Sequence, residues 1–286
     1  MVNDVTIRIM LLVKLIFKLL EKSADVETAF LYGLLRELIY MQCPEGMVIN
    51  DDEVIKLEKT IYGLVQSARA FFARFKQVLL KIGFEQSLAD PCLFIYKRDN
   101  QVVYMAVWVD DLLCHGHKEL LNFVLKEIGK TFKLKIEDST NDYLSCEIIS
   151  NKDNTKIWIG QPHLIRKIES TFGEMVKGLP TYRTPGTPNL GLYKPINKEA
   201  VISPKDQTLY RTGVGMLLYL VKYSRPDISN AVQELSKGMK EPTPNAFKEL
   251  KRVLKFVLDT RNKGLKMEPK YEDEVNWEMT VYTDSD

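Results

Sequence analysis

An α+β fold follows from three features of this 286-residue chain. The first is a hairpin signature: Cys92-Leu93-Phe94-Ile95-Tyr96, then Asp99-Asn100, then an apolar run from Val102 to Val109. Short β-branched and aromatic runs on either side of a turn dipeptide read as paired strands. The second is a set of longer segments with apolar residues at helical spacing, such as Phe71, Phe75, Val78, Leu79 and Ile82. The third is composition, 45% hydrophobic and 27% charged, which supplies a sizeable core at a length that suits two domains or subdomains.

Taken in order, Ile7 to Leu20 reads as a core-facing helix with Ile9, Leu12, Val13, Ile16, Phe17 and Leu20 inward. A short strand ends near Asp25 and leads into a helix from Thr28 to about Ile39, its buried face marked by Phe30, Leu31, Leu34, Leu35 and Leu38. Pro44-Glu45-Gly46 is a turn. Lys56-Leu57 opens a short element, and a helix from Ser67 to Ile82 stops at Gly83. The hairpin follows, Asp110-Asp111 makes the next reversal, and Leu112 to Cys114 returns. A helix over Lys118–Lys130, strands near Phe132–Ile136, Tyr143–Ile149 and Lys156–Ile159, and a helix over Pro162–Phe172 complete an α+β unit. Leu179 to Pro204 holds five prolines and reads as a long connection. Beyond it the pattern is helical: Gln207–Tyr223, Pro226–Lys237 and Pro244–Leu258, the last with Thr243 as cap and Pro244 in the first turn. A strand is expected to begin at Glu278–Tyr282.

Composition narrows the functional classes. The 14 residues from Ile7 to Leu20 include Arg8, Lys14 and Lys18, too short and too charged to span a bilayer, and the pattern continuing through Ala24-Asp25-Val26 does not suit a cleaved leader. Cys43, Cys92, Cys114 and Cys146 lack metal-ligand spacing and suit a reducing compartment. Three histidines, His115, His117 and His163, argue against a His-rich zinc site. The net charge is only +2, yet Lys248 to Lys266 carries seven basic residues against Glu249 and Asp259, while Glu268 to Glu278 holds five carboxylates that conceal this patch in the total.

The chemistry-bearing feature is Asp110-Asp111, set between the run Val102–Val109 and Leu112-Leu113-Cys114. Two like charges at the edge of a core are costly unless a cation or solvent compensates. Two divalent metals about 3.5–4 Å apart would compensate, and so would a solvated hairpin turn. Asp25, 85 residues earlier at a strand end, adds a third carboxylate, although a helix cap explains it equally well. In the loop from Lys56 to Arg69, Gly63 permits close approach of a flat partner. Gln66 and Arg69 could reach a base or phosphate there, or simply be solvated at a helix start.

Several ordered blocks then carry a specific resemblance. Asp25-Val26-Glu27-Thr28-Ala29-Phe30-Leu31-Tyr32-Gly33 with Ile39-Tyr40-Met41-Gln42-Cys43-Pro44-Glu45-Gly46, the Lys56–Arg69 segment, Gly83-Phe84 with Asp90-Pro91-Cys92, Trp108-Val109-Asp110-Asp111-Leu112-Leu113 and Arg225-Pro226-Asp227-Ile228 together resemble the reverse transcriptase of copia-type retrotransposon polyproteins. Tyr282-Thr283-Asp284-Ser285-Asp286 is similar to the first strand of that family's ribonuclease H domain. The resemblance implies a right-hand polymerase palm with an antiparallel sheet, followed by a mostly helical thumb or connection. It divides the chain into 1–178 (palm with residual fingers), 179–204 (connection), 205–275 (thumb or connection) and 276–286 (start of a ribonuclease H domain).

By the same resemblance Asp25, Asp110 and Asp111 would bind two Mg²⁺ ions, with Mn²⁺ as a substitute. Phe30 would face the sugar of the incoming dNTP, Gln66 would line the nucleotide pocket, and Arg69 would lie near the template path. The partners implied are an RNA or DNA template–primer duplex, gripped in part by the Lys248–Lys266 face, and dNTP, with no membrane. The location implied is a cytoplasmic virus-like particle or the nucleus. Departures from the pattern lower the expected activity. Only about 24 residues precede Asp25, where the family has a fingers region. Val65 stands where it has Lys, Ala68 where it has Pro, Trp108 where it has Tyr and Ser145 where it often has Gly. An acidic position after Gly33 is replaced within Leu34-Leu35. The expectation is a reverse transcriptase with low or no polymerase activity as an isolated chain. Two rivals stay open: an inactive remnant that binds duplex but ignores nucleotide, and a two-metal nuclease that cleaves without triphosphate.

Overall fold

A computed structural model describes residues 2–47, 50, 53–138, 142–143, 146–188 and 202–269. Ser145, residues 189–201 of the 179–204 connection, the strand expected at 278–282 and Asp284 lie outside the described residues. The architecture is α+β, with antiparallel sheets and packed helices, and the chain divides into two compact units, one built on the residues up to Thr140 and one on Asn141–Glu268.

In the first unit the elements are α1 (Asp4–Ile16), β1 (Leu20–Val26), a 3-10 turn (Ala29–Tyr32), β2 (Leu34–Met41), β3 (Ile55–Lys59), α2 (Ser67–Ile82), β4 (Glu85–Gln86), β5 (Leu93–Arg98), β6 (Gln101–Trp108), β7 (Asp111–Gly116), α3 (Lys118–Gly129) and β8 (Leu134–Glu137). The main sheet runs β4-β5-β6-β7-β1-β8 and is antiparallel throughout. Its core face is apolar because strand residues alternate. Val103, Met105, Val107, Leu112, Cys114, Ala24 and Val26 meet Phe71, Phe75 and Leu79 of α2 and Leu121, Val124 and Ile128 of α3. The β5–β6 turn places Asp99 and Asn100 at φ 50° and 59°, the two left-handed positions that a two-residue type I′ hairpin requires.

Two expectations need correction. The segment expected as a helix over Thr28–Ile39 is a single 3-10 turn followed by β2, which pairs with β3. A β-carbon at Gly33 would meet the Thr60 hydroxyl and lie 3.1 Å from the Phe71 nitrogen, so the chain passes close to α2 at this point. Leu34 and Leu38, expected inside, are 63% and 72% exposed. The first helix has the expected period but buries another face: Ile7, Met10, Leu11, Lys14 and Leu15 are inside while Ile9 and Phe17 are exposed, and Leu20 already belongs to β1. Lys14 is tolerated inside because its Nζ lies 3.0 Å from Glu21 Oε2.

The second unit contains β9 (Asp142–Tyr143), β10 (Cys146–Ser150), β11 (Ile157–Gly160), α4 (Pro162–Val176), α5 (Pro204–Tyr223), α6 (Ser229–Lys237), α7 (Pro244–Asp259) and β12 (Leu265–Met267), with sheet order β12-β11-β10-β9. Thr243 caps α7 as expected, accepting the Ala246 N–H at 3.2 Å. Its helices share one core, including Phe172, Tyr210, Leu217, Val232, Leu250 and Leu254. The buried Arg225 guanidinium donates to both Asp227 carboxylate oxygens at 2.9 and 3.0 Å and to Thr260 Oγ1 at 2.8 Å, fastening the turn before α6 to the end of α7.

Candidate active site

The β1–β7 register brings Asp25 directly opposite Asp111, and Asp110 occupies the two-residue loop Val109-Asp110 that joins β6 to β7. The Asp110 carbonyl accepts the Val26 N–H at 2.9 Å, which ties this loop to the end of β1. Directly opposed residues of an antiparallel pair have side chains on one face, with Cβ atoms about 4.5–5.5 Å apart. Asp25 and Asp111 therefore share the face opposite the α2–α3 core. Val109 holds φ 56°, a conformation a β-branched residue rarely adopts and the first-position geometry that type II′ turns reserve for glycine. Strain of that kind clusters where side chains must be aimed.

The carboxylates act on one another electrostatically. Loss of hydration raises Asp25 above the usual carboxylate range, the Asp110 charge raises it further, and Lys135, its register partner on β8, pulls it partly back. Asp111 is raised by desolvation, then by Asp110, then by Asp25. Burial and mutual repulsion thus act in the same direction on both carboxylates. The donor set suits a divalent ion as an open site, not a closed cage. Among the described residues no three His, Cys, Asp or Glu side chains are placed to hold a metal by themselves. Mg²⁺ commonly takes only one or two protein carboxylates, with waters and substrate phosphates filling the remaining positions.

Phe30 sits in the 3-10 turn, half-buried, its ring 4.7 Å from that of the exposed Tyr62. Its carbonyl accepts a hydrogen bond from Thr60 Oγ1. Gln66 is the N-cap residue of α2, and its carbonyl accepts the Ala70 N–H at 2.9 Å. Gln66 and Arg69 line a cavity of about 490 Å³ whose walls include none of the three carboxylates and not Phe30. Val65, where the resemblance expects Lys, is 98% exposed and adds no cation.

Sequence reasoning missed two features. One is Lys135, whose place opposite Asp25 depends on a strand pairing that no local pattern reveals. The other is a buried trio behind the carboxylates: Glu21 Oε2 accepts from Lys14 Nζ and lies 3.0 Å from His115 Nε2, while His115 Nδ1 lies 3.0 Å from the Met10 carbonyl. Glu21 and His115 are register partners four pairs along the ladder from Asp25 and Asp111. The basic stretch after Lys248 is also smaller in effect than its count suggests. Lys255 pairs with Asp259, Arg261 grips Glu169 through two hydrogen bonds, Lys266 pairs with Glu268, and Arg252 lies over Tyr182 and donates to Thr184.

The first unit is thus an antiparallel sheet that carries Asp25 at one strand end, opposite the Asp110-Asp111 hairpin. The chain belongs to the reverse transcriptase (RNA-dependent DNA polymerase) family, whose model matches residues 4–182. It is similar to the retrovirus-related Pol polyprotein from transposon RE1 of Arabidopsis thaliana, 34% identical over 247 residues, which are 85% of this chain and 16% of that protein. It is 29% identical over 246 residues to the corresponding polyprotein of transposon TNT 1-94 from Nicotiana tabacum, covering 84% of this chain and 18% of that one. A Ty5-1 transposon protein of Saccharomyces cerevisiae is 31% identical over 264 residues, 91% of this chain and 82% of its own length. The chain thus spans about a sixth of the length of the plant Pol polyproteins it matches. Among the described residues no helix is long and apolar enough to cross a membrane.

Proposed function

We propose that this chain is the palm-and-thumb portion of an RNA-directed DNA polymerase, with its catalytic centre at Asp25, Asp110 and Asp111. The observation that supports this reading is the pairing of Asp25 opposite Asp111, with Asp110 in the adjoining strained loop. The first unit corresponds to the palm, the helices of the second to the thumb or connection, and the substrates are a template–primer and dNTP. Asp25, Asp110 and Asp111 would hold two Mg²⁺ ions, which when bound lower the pKa of the primer 3′-hydroxyl and neutralise charge on the triphosphate and the departing pyrophosphate.

The protein's own contribution is positional. The β1–β7 register holds the carboxylates rigidly on strand ends, and Lys135 offsets part of their repulsion until substrate arrives. Phe30, its ring tilted against that of Tyr62, offers an aromatic surface for a sugar, and the Gln66 amide offers both a donor and an acceptor. The 3′-oxygen attacks the α-phosphorus in line and the bond to pyrophosphate breaks on the opposite side. Activity is expected to be low, because Val65 leaves the pocket edge without a cation. Primer extension on poly(rA)/oligo(dT) with Mg²⁺ or Mn²⁺ tests the reading. Weak extension is expected, falling about 10³-fold or more in Asp110→Asn. Extension indifferent to that substitution contradicts the assignment, and cleavage of the nucleic acid without triphosphate favours a nuclease instead.

A further inference from the structure

α1 differs from an ordinary surface helix in being apolar on two opposite sides. It turns Ile7, Met10, Leu11, Lys14 and Leu15 into the core. At 3.6 residues per turn the middle of the opposite side falls on Val5, Ile9, Leu12 and Ile16. Val5 and Ile9 are more than half exposed, Leu12 and Ile16 are half-buried, and the exposed Phe17 and Leu20 follow just after the helix. A surface helix normally keeps polar residues on that side, as α3 does with Lys118, Glu119, Asn122 and Lys126. On α1 the outward polar residues are confined to the margins, at Asp4, Thr6 and Arg8. The Ile9–Leu12–Ile16 period that the sequence predicts as a core face is therefore a second apolar face, turned to solvent.

The spacing specifies the occupant. Val5, Ile9, Leu12 and Ile16 follow one another at intervals of four, three and four. That is the a/d period of a coiled-coil seam, whose side chains seat in the holes of another helix. The series also reads the same in both directions. A twofold axis midway between Ile9 and Leu12 sets Val5 of one copy against Ile16 of the other, and Ile9 against Leu12, with the helices antiparallel. A self-complementary patch of this kind closes a dimer. The same alignment brings the helix start, with Asp4 in its first turn, to the helix end of the other copy, where the exposed Lys18 follows. Opposite charges and opposite helix-dipole ends then meet. Val5, Ile9, Phe17 and Leu20 expose about 400 Å² of apolar surface, comparable with the largest patch of a typical monomer. Pairing would remove about 800 Å² from water, which is below a standard interface and suits weak, reversible association.

We infer that the outer face of α1 is a self-association surface that takes α1 of a second copy of this chain in an antiparallel pair. The inference is independent of the polymerase reading, since none of the residues it uses belongs to the proposed catalytic centre. Ile9 and Leu12 form the middle of the contact, and Val5 and Ile16 form its two ends.

The test is sedimentation equilibrium of the full chain over a concentration series, with a reversible monomer–dimer equilibrium expected. Ile9→Glu should weaken the dimer about a hundredfold, because one substitution places two unpaired carboxylates in each seam, while Tm stays unchanged. Leu12→Lys should weaken it similarly. An equimolar mixture of the two variants should recover dimer, since the antiparallel register sets Glu at position 9 of one chain against Lys at position 12 of the other. A parallel pair would not recover it, so a mixture that stays monomeric overturns the proposed register. Val5→Glu, at a more exposed position, repeats the single-variant test if Leu12→Lys does not fold. A chain that is monomeric throughout the series, or a dimer indifferent to Ile9→Glu and Val5→Glu, overturns the inference. So does a monomeric chain that binds neutral phosphatidylcholine vesicles and is released from them by Ile9→Glu, because the face then serves a lipid surface. Primer extension is read separately: its loss or survival leaves the sedimentation result unaffected.

Discussion

Asp111 and Glu21 show how neighbours decide what a carboxylate does. Loss of hydration, then the charges of Asp110 and Asp25, raise Asp111, so its folded-state pKa lies above the unfolded value of 3.8. Its repulsion therefore destabilises the fold once pH rises through the folded value, and the penalty disappears below 3.8. Metal-free Asp111→Asn should accordingly have a higher Tm than the unaltered chain at pH 8, the gap closing near pH 4, as read by differential scanning calorimetry. Glu21 behaves in the opposite sense. Although burial opposes its charge, His115 and Lys14 lower it to about 2. Its contribution is complete above the unfolded value of 4.5 and is lost as pH falls through about 2. Glu21→Ala strips a buried lysine and histidine of their shared carboxylate and should cost about 3–5 kcal/mol in urea unfolding. Asp25, Asp110 and Asp111 could be named from the sequence because carboxylates beside apolar runs are conspicuous. The Lys14–Glu21–His115 trio was hidden, since its members lie 7 and 94 residues apart and only the fold unites them.

At the scale of elements, local signals succeeded where chain geometry itself demanded a residue. Gly83 ends α2 at φ 110° and Asp99-Asn100 turns the hairpin, and both boundaries are readable without tertiary information. The helix expected after Thr28 failed because Leu34, Leu35 and Leu38 fit a helical stripe by spacing alone. Pairing with β3, a non-local event, won over that period. The face of α1 was misjudged for a related reason: Lys14 looked like a surface residue until Glu21 supplied its partner. Close strand approach gives an element-level test at Gly116, the last residue of β7. A β-carbon there would lie 2.9 Å from the Val102 carbonyl oxygen and 3.1 Å from the Val103 α-carbon. Gly116→Ala should cost about 1–3 kcal/mol by forcing β6 and β7 apart, measurable as a lower urea midpoint with an unchanged m-value.

For the molecule as a whole, the near-neutral charge concealed an uneven distribution. The Lys248–Lys266 stretch looked like the nucleic-acid grip, yet four of its seven cations are engaged within the second unit. Arg36, Arg69 and Arg74, which form no ion pair among the described residues, lie on β2 and α2 of the first unit. Ordered blocks conveyed family membership, because five separated motifs in one order constrain a chain more than any one of them. They could not convey the strand register, on which the proposed centre depends.

The most direct measurement is Mn²⁺ binding followed by electron paramagnetic resonance on the unaltered chain and on Asp25→Asn and Asp110→Asn. If the three acids form one cation site, each substitution should weaken Mn²⁺ by about tenfold or more. Binding that Asp110→Asn weakens but Asp25→Asn leaves untouched would place the first acid outside the site and contradict the proposal, as would the absence of any bound Mn²⁺.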